Sequence, residues 1–179
     1  MEFAHRPEVD ELRKSLRDFI ERELRPLEKG ELDPEDDHVP FALFQRVRRR
    51  SAELGFYAAD FPEEYGGAGL PQVGMVALRE EAASTGLRLA MAACYGPEGP
   101  TGVLLDGTEE QKKRYLMPLI TAEKSMAFAL TEPDAGSDAQ NIRTSATKEG
   151  DGWVLNGRKH FITNGTNADF VLVFAANDR

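Results

Sequence analysis

The spacing of apolar residues changes near Glu123, and that change divides the chain. Before it, apolar positions recur every three or four residues; after it, the interval falls towards two. Val9, Leu12, Leu16, Phe19, Ile20 and Leu24 follow the first rule, with Pro7 suited to a first helical position and Pro26 predicting the helix end. A second helix is predicted from Pro40 through Phe41, Phe44, Val47 and Leu54, stopped by Gly55. A third runs from about Gln72 through Val73, Val76, Ala77 and Glu80, and a shorter fourth covers 87–95. Thr108-Glu109-Glu110-Gln111 reads as a capping box opening a helix through Lys112 and Leu116, which Pro118 closes or kinks.

Beyond Lys124, Met126, Phe128 and Leu130 alternate with alanines. Thr144, Ala146 and Lys148 lead to Gly150-Asp151-Gly152 and then Trp153-Val154-Leu155. Asn156-Gly157 predicts a two-residue hairpin turn, and 159–163 and 170–175 predict further strands. The second of these is apolar from Phe170 to Phe174, as in a strand covered on both faces. A strand of that kind needs neighbours, and four or five short strands do not easily close a barrel, so the expectation is that the polypeptide continues or another chain covers the edge. The predicted fold class is α+β: an all-α helical bundle domain over 1–123, followed by an incomplete antiparallel β-barrel or sheet domain over 124–179.

Composition narrows the function. The 179 residues hold 41% hydrophobic and 30% charged side chains, which suits a packed globular chain rather than a disordered one. The net charge of −9 argues against nucleic acid, and residues 124–179 hold six basic and seven acidic groups, so the acidity belongs to the helical half. Arg46-Val47-Arg48-Arg49-Arg50 is the exception, and inside an amphipathic helix it reads as a solvated basic face. No apolar run approaches the roughly 20 residues of a membrane span, and the N-terminus lacks the layout of a secretion signal. The single cysteine, Cys94, excludes an internal disulfide and suits a reducing cytoplasm.

Several motifs fail. Gly66-Gly67-Ala68-Gly69-Leu70-Pro71 follows no strand and lacks a third spaced glycine; no phosphate loop is present; His5, His38 and His160 are scattered. Ser137 lies in no nucleophile elbow, and Asn164-Gly165-Thr166 is more simply a turn than a glycosylation site.

Two segments remain: 128–138, Phe-Ala-Leu-Thr-Glu-Pro-Asp-Ala-Gly-Ser-Asp, and 159–165, Lys-His-Phe-Ile-Thr-Asn-Gly. The first is a strand breaking into a tight loop, where Pro133 fixes a dihedral and Gly136 admits a ligand close to the backbone. Successive N–H groups with the Ser137 hydroxyl suit an anionic oxygen such as a pyrophosphate. Thr131 and Thr163, at strand ends, would direct two hydroxyls into one cavity, and Phe128 and Phe161 would flank a flat ring. Taken singly, each feature is more commonly turn chemistry or core packing.

Together with Pro62-Glu63-Glu64-Tyr65-Gly66-Gly67-Ala68-Gly69, with Gly107-Thr108-Glu109-Glu110-Gln111-Lys112 through Tyr115, Leu116 and Pro118, and with Asn156-Gly157, these segments resemble the acyl-CoA dehydrogenase family along the whole chain. Thr131-Glu132-Pro133 with Ala135-Gly136-Ser137-Asp138 is the most specific signature, and Phe161-Ile162-Thr163-Asn164-Gly165 is its partner. The resemblance implies FAD as cofactor, contacted by Phe128, Ala129, Leu130, Thr131, Gly136, Ser137, Phe161, Ile162 and Thr163. It places Thr131 at the flavin's pyrimidine edge, Thr163 near N5, and Ser137 where pyrophosphate and acyl thioester meet, so Ser137 is also a substrate position. Phe161 stands where many members have tryptophan, which keeps an aromatic face and loses the indole donor.

The implied reaction is α,β-desaturation of an acyl-CoA thioester, as in fatty acid metabolism: a carboxylate takes the α-proton while the β-hydrogen leaves as hydride to flavin N5. The family's catalytic glutamate lies in a C-terminal helical domain that this sequence does not contain; Glu63, Glu64, Glu80, Glu81 and Glu132 match no catalytic position, so the fragment alone is expected to be inactive. Electron-transfer flavoprotein is the implied electron acceptor, and the full-length protein an implied cytoplasmic homo-oligomer. An acyl-CoA oxidase or flavin monooxygenase on the same scaffold, and a non-catalytic truncated module, stay open. The turn-rich 96–100 segment reads as a plain connecting loop more readily than as a border of the acyl channel.

Overall fold

The computed structural model describes residues 7–94, 96 and 99–177. His5, Tyr95, Pro97 and Glu98 lie outside the described residues, and with them part of the predicted fourth helix and of the 96–100 loop. The chain divides into two compact units, Met1–Lys124 and Ser125–Arg179.

The first unit is helical. Helix α1 (Pro7–Phe19) and α2 (Arg25–Glu31) are joined without a break by a π turn, Ile20–Leu24. The structure corrects the expectation that Pro26 ends the helix. A proline in an α-helix lacks an N–H and its ring meets the carbonyl four residues back. The wide turn just before it, closed by Arg25 N–H donating to Ile20 C=O, relieves that clash and lets the helix run on. The same device recurs later. Thr108 and Gln111 form the predicted capping box before the short α5 (Glu109–Gln111), a π turn spans Lys112–Leu116, and α6 (Met117–Ile120) carries Pro118 in its first turn. Pro118 therefore does not close that helix.

Helices α3 (Phe41–Glu53) and α4 (Gln72–Ser84) begin after Pro40 and Pro71, and Gly55 follows α3 at φ +80°. The 87–95 stretch yields only a 3-10 turn, Met91–Ala93, among its described residues. Leu16, Phe19, Ile20 and Leu24 pack on Val47, Phe56, Met75 and Leu78, with the Phe19 and Phe56 rings stacked 6.0 Å apart. Burying such a side chain is worth about 1.5–3 kcal/mol. A second cluster gathers Tyr57, Phe61, Leu116 and Ile120. Cys94 is buried, and burial pushes its thiol up to about 12, which leaves it unreactive.

The arginine run is less solvated than expected. Arg46 pairs with Glu31, and Arg50 with Glu23 and Glu53. Arg48 is 3% exposed and lies over the Phe44 ring.

Among its described residues the second unit holds five strands. β1 (Met126–Ala129) pairs in parallel with β4 (Phe170–Val173), Phe128 opposite Leu172. β2 (Ser145–Glu149) forms an antiparallel hairpin with β3 (Gly152–Asn156) and a short parallel pairing with β5 (Ala176–Asn177). The helical-then-β architecture stands, but of the three pairings only the hairpin is antiparallel. Gly150-Asp151, with Gly150 at φ +59°, makes the hairpin turn. Asn156-Gly157 does not: Gly157 is bare because a Cβ there would collide with Thr144. Nor is 159–163 a strand. Phe161 sits at φ +54° and Asn164 at +63°, and a turn begins at Thr163. Val171 of the apolar strand is exposed.

Among the described residues no helix is long and apolar enough to cross a membrane, and no histidine, cysteine and carboxylate cluster could hold a metal.

Candidate functional site

Chain polarity turns sharply after β1. Glu132 and Ala135 bond each other across Pro133-Asp134, through Glu132 N–H to Ala135 C=O at 2.8 Å and the reverse bond at 3.3 Å. This is the tight turn predicted at Pro133. It leaves Gly136 and Ser137 exposed, and nothing stands within 4 Å of where a Gly136 Cβ would lie. The backbone is bare there without any demand from the chain's own packing.

The second segment is tied to the first by three hydrogen bonds. Lys159 Nζ donates to Leu130 C=O at 2.9 Å and to Glu132 Oε1 at 2.7 Å, and His160 N–H donates to Thr131 C=O at 2.9 Å. Glu132 does more than pair. Its Oε1 accepts from Thr144 N–H at 2.9 Å and its Oε2 from Arg143 N–H at 2.6 Å, so one carboxylate gathers three stretches of chain. The Glu132 and Lys159 side chains are 4% and 11% exposed. The Lys159 ammonium first, then neighbouring Thr144 and the two backbone N–H groups, hold the Glu132 carboxyl well below the usual carboxylate range, against the opposing effect of burial.

These bonds join 130–132 to 159–160, and the predicted site residues on the two segments differ in exposure. Ala129 is buried; Leu130, Thr131 and Ile162 are half-buried; Phe128, Gly136, Ser137, Phe161 and Thr163 are exposed. The Phe128 ring leans on Phe174, centroids 4.6 Å apart. Phe161 is 84% exposed, and the His160 ring stacks on it at 3.8 Å. The turn after Thr163 is pinned by Asn164 Nδ2 donating to Met126 C=O and by Asp169, which accepts from Ser125 N–H. The result is an open aromatic face, a bare glycine backbone and a free serine hydroxyl, a set suited to a planar, anionic ligand. Motif reading assigns no role to Glu132 or Lys159. The available signal is a difference of charge between the segments: 128–138 carries Glu132, Asp134 and Asp138, and 159–165 carries Lys159.

Comparison with known proteins gives the family. Residues 6–123 match the acyl-CoA dehydrogenase N-terminal domain and 127–179 the acyl-CoA dehydrogenase middle domain. The chain belongs to the acyl-CoA dehydrogenase family. It is 42% identical over 171 residues to a 3-(aryl)acrylate reductase of Clostridium sporogenes, an alignment covering 93% of this chain and 43% of that protein. It is 39% identical over 171 residues to the caffeyl-CoA reductase-Etf complex subunit CarC of Acetobacterium woodii, with the same coverage. The crystal structure of an acyl-CoA dehydrogenase from Bacillus anthracis complexed with FAD superimposes with a TM-score of 0.73 at 38% identity, over 97% of this chain and 29% of that one. The chain spans less than half the length of these relatives.

Proposed function

We propose that this chain supplies the FAD-contacting face of an enzyme that carries out α,β-desaturation of an acyl-CoA thioester, with contacts from 128–131, Gly136, Ser137 and 161–163, and with Ser137 shared by the acyl thioester. The observation that carries this reading is the three-bond junction between the two signature segments, Lys159 to Leu130 and Glu132 and His160 to Thr131. The residues fit the cofactor: the space beside Gly136 is open, the Ser137 hydroxyl is exposed for a phosphate oxygen, and Phe161 offers an uncovered ring. Bound FAD would supply a two-electron acceptor for the β-hydrogen.

The chain's own residues bind and polarise. Gly136 and Ser137 hold anionic oxygens, Thr131 and Thr163 donate towards the flavin edge, and Phe161 shields a ring face from water. The base that removes the α-proton is assigned to no residue of this chain. Electron-transfer flavoprotein is the proposed redox partner, a choice supported by the Etf complex to which the A. woodii relative belongs. A cytoplasmic homo-oligomer is the proposed setting, and the lone buried Cys94 suits a reducing compartment.

The two relatives named as reductases favour a second reading, in which the same residues serve reduction of an unsaturated thioester or acrylate. A site that favours hydride departure also favours its return.

Titration with FAD, followed by flavin absorbance and fluorescence, tests the cofactor assignment; failure to retain FAD overturns it. The loaded protein is then offered an acyl-CoA with an artificial electron acceptor, and an enoyl-CoA with a reduced donor. Turnover in the second assay alone selects the reductase, and rapid reaction of the reduced flavin with oxygen selects an oxidase or monooxygenase; retention without turnover is the outcome expected of this chain by itself, which supplies no base.

A further inference from the structure

The peptide joining Leu130 to Thr131 is held at its carbonyl by a charge. Lys159 Nζ donates to that carbonyl and to Glu132 Oε1, and both ionised side chains are nearly buried. In a trans peptide the N–H points opposite to the C=O, and no cis bond occurs among the described residues. The Thr131 N–H therefore faces away from Lys159, and among the described residues it has no acceptor. A cation on a carbonyl draws electron density through the amide and strengthens its N–H as a donor. On the far side of Thr131, the carbonyl accepts from His160 N–H, so both flanking peptides are fixed.

A buried ion pair is by itself a weak source of stability, since apolar replacements of equal volume often do as well. This pair instead places a donor. We propose that Lys159 and Glu132 are positioning residues for the cofactor: the ammonium orients and polarises the Leu130–Thr131 peptide so that the Thr131 N–H donates to the electron-rich pyrimidine edge of the flavin, and the balance between the two charges sets the flavin's reduction potential. The inference rests on the FAD reading above and adds residues that reading does not use. Two-electron reduction places negative charge on the pyrimidine portion of a flavin. An unbalanced charge at the pair therefore shifts the potential by its sign: a lone Glu132 carboxylate opposes reduction, and a lone Lys159 ammonium favours it.

The test uses the FAD-loaded protein with Lys159→Met, Glu132→Gln, both together, and Lys159→Arg. Reduction potential is measured by equilibration with redox dyes, and FAD affinity by fluorescence titration. The expected result is a lower potential and about tenfold weaker FAD binding in Lys159→Met. Glu132→Gln has a raised potential, the double variant returns towards the wild-type value, and Lys159→Arg stays near it. A purely structural pair would weaken binding in both single variants without opposite shifts, and shifts of one sign, or none, overturn the proposal. Should Lys159→Met fail to fold, the rise in Glu132→Gln and its reversal in the double variant decide the matter. Wild-type protein that binds no FAD sinks the cofactor reading and this inference with it; wild-type binding with unsplit potentials sinks this inference alone.

Discussion

Glu81 is 2% exposed on α4 and receives Arg17 Nε at 2.5 Å and Arg13 Nη2 at 3.2 Å from α1. Those bonds, Arg17 foremost, hold its carboxyl below the ordinary carboxylate range, as Lys159 does for Glu132. A group whose folded value is depressed adds stability that is complete above its unfolded value and is lost as pH falls towards the folded one. Thermal midpoints should therefore fall once pH drops below the ordinary carboxylate range, and should fall less steeply in Glu81→Ala. At neutral pH that variant should lose about 2 kcal/mol in denaturant unfolding, the scale of hydrogen bonds to a charged group. Ser137 makes a different case. It is exposed and beside the open face of Gly136, so Ser137→Phe should leave the thermal midpoint unchanged while weakening FAD retention at least about tenfold, since a bulky ring blocks the phosphate approach. Wild-type retention in that variant would remove Ser137 from the site.

Elements show which local signals survive folding. Gly30 lies in α2 with open space where its Cβ would be, so Gly30→Ala should raise stability by about 0.5–1 kcal/mol. Gly67 lies in the loop that folds back on Phe61, where a Cβ would strike the Phe61 backbone. Gly67→Ala should lower stability by about 2–3 kcal/mol, and matched thermal melts of the two variants check both signs. The helix starts after Pro40 and Pro71, the capping box at Thr108 and the stop at Gly55 were all legible, because each is settled within one turn of chain. Pro26 and Pro118 were not. A π turn leaves no mark on a three-and-four spacing, so nothing local says that the helix absorbs its proline. Asn156-Gly157 carries a turn signal, but the glycine is there for Thr144, a neighbour 13 positions earlier. Glu132 and Lys159 were legible as residue types in the right segments; their partnership exists only once 130–132, 143–144 and 159–160 meet.

At the scale of the whole molecule, charge and apolar surface are distributed unequally. Most of the net −9 lies in the helical half, while β3 exposes Trp153, Val154 and Leu155 in succession. In the order β3-β2-β5, β3 is an edge strand, and adjacent residues of a strand point to opposite faces. Repulsion between acidic copies of the chain opposes edge-to-edge pairing, and salt screens that repulsion. Light scattering of this chain should accordingly rise with ionic strength, and Val154→Lys should suppress the rise. That edge also governs handling in practice. Storage of the isolated 179-residue polypeptide should favour dilute, low-salt buffer, and crystals grown from concentrated sulfate should have neighbouring copies meeting along this hairpin before any other surface.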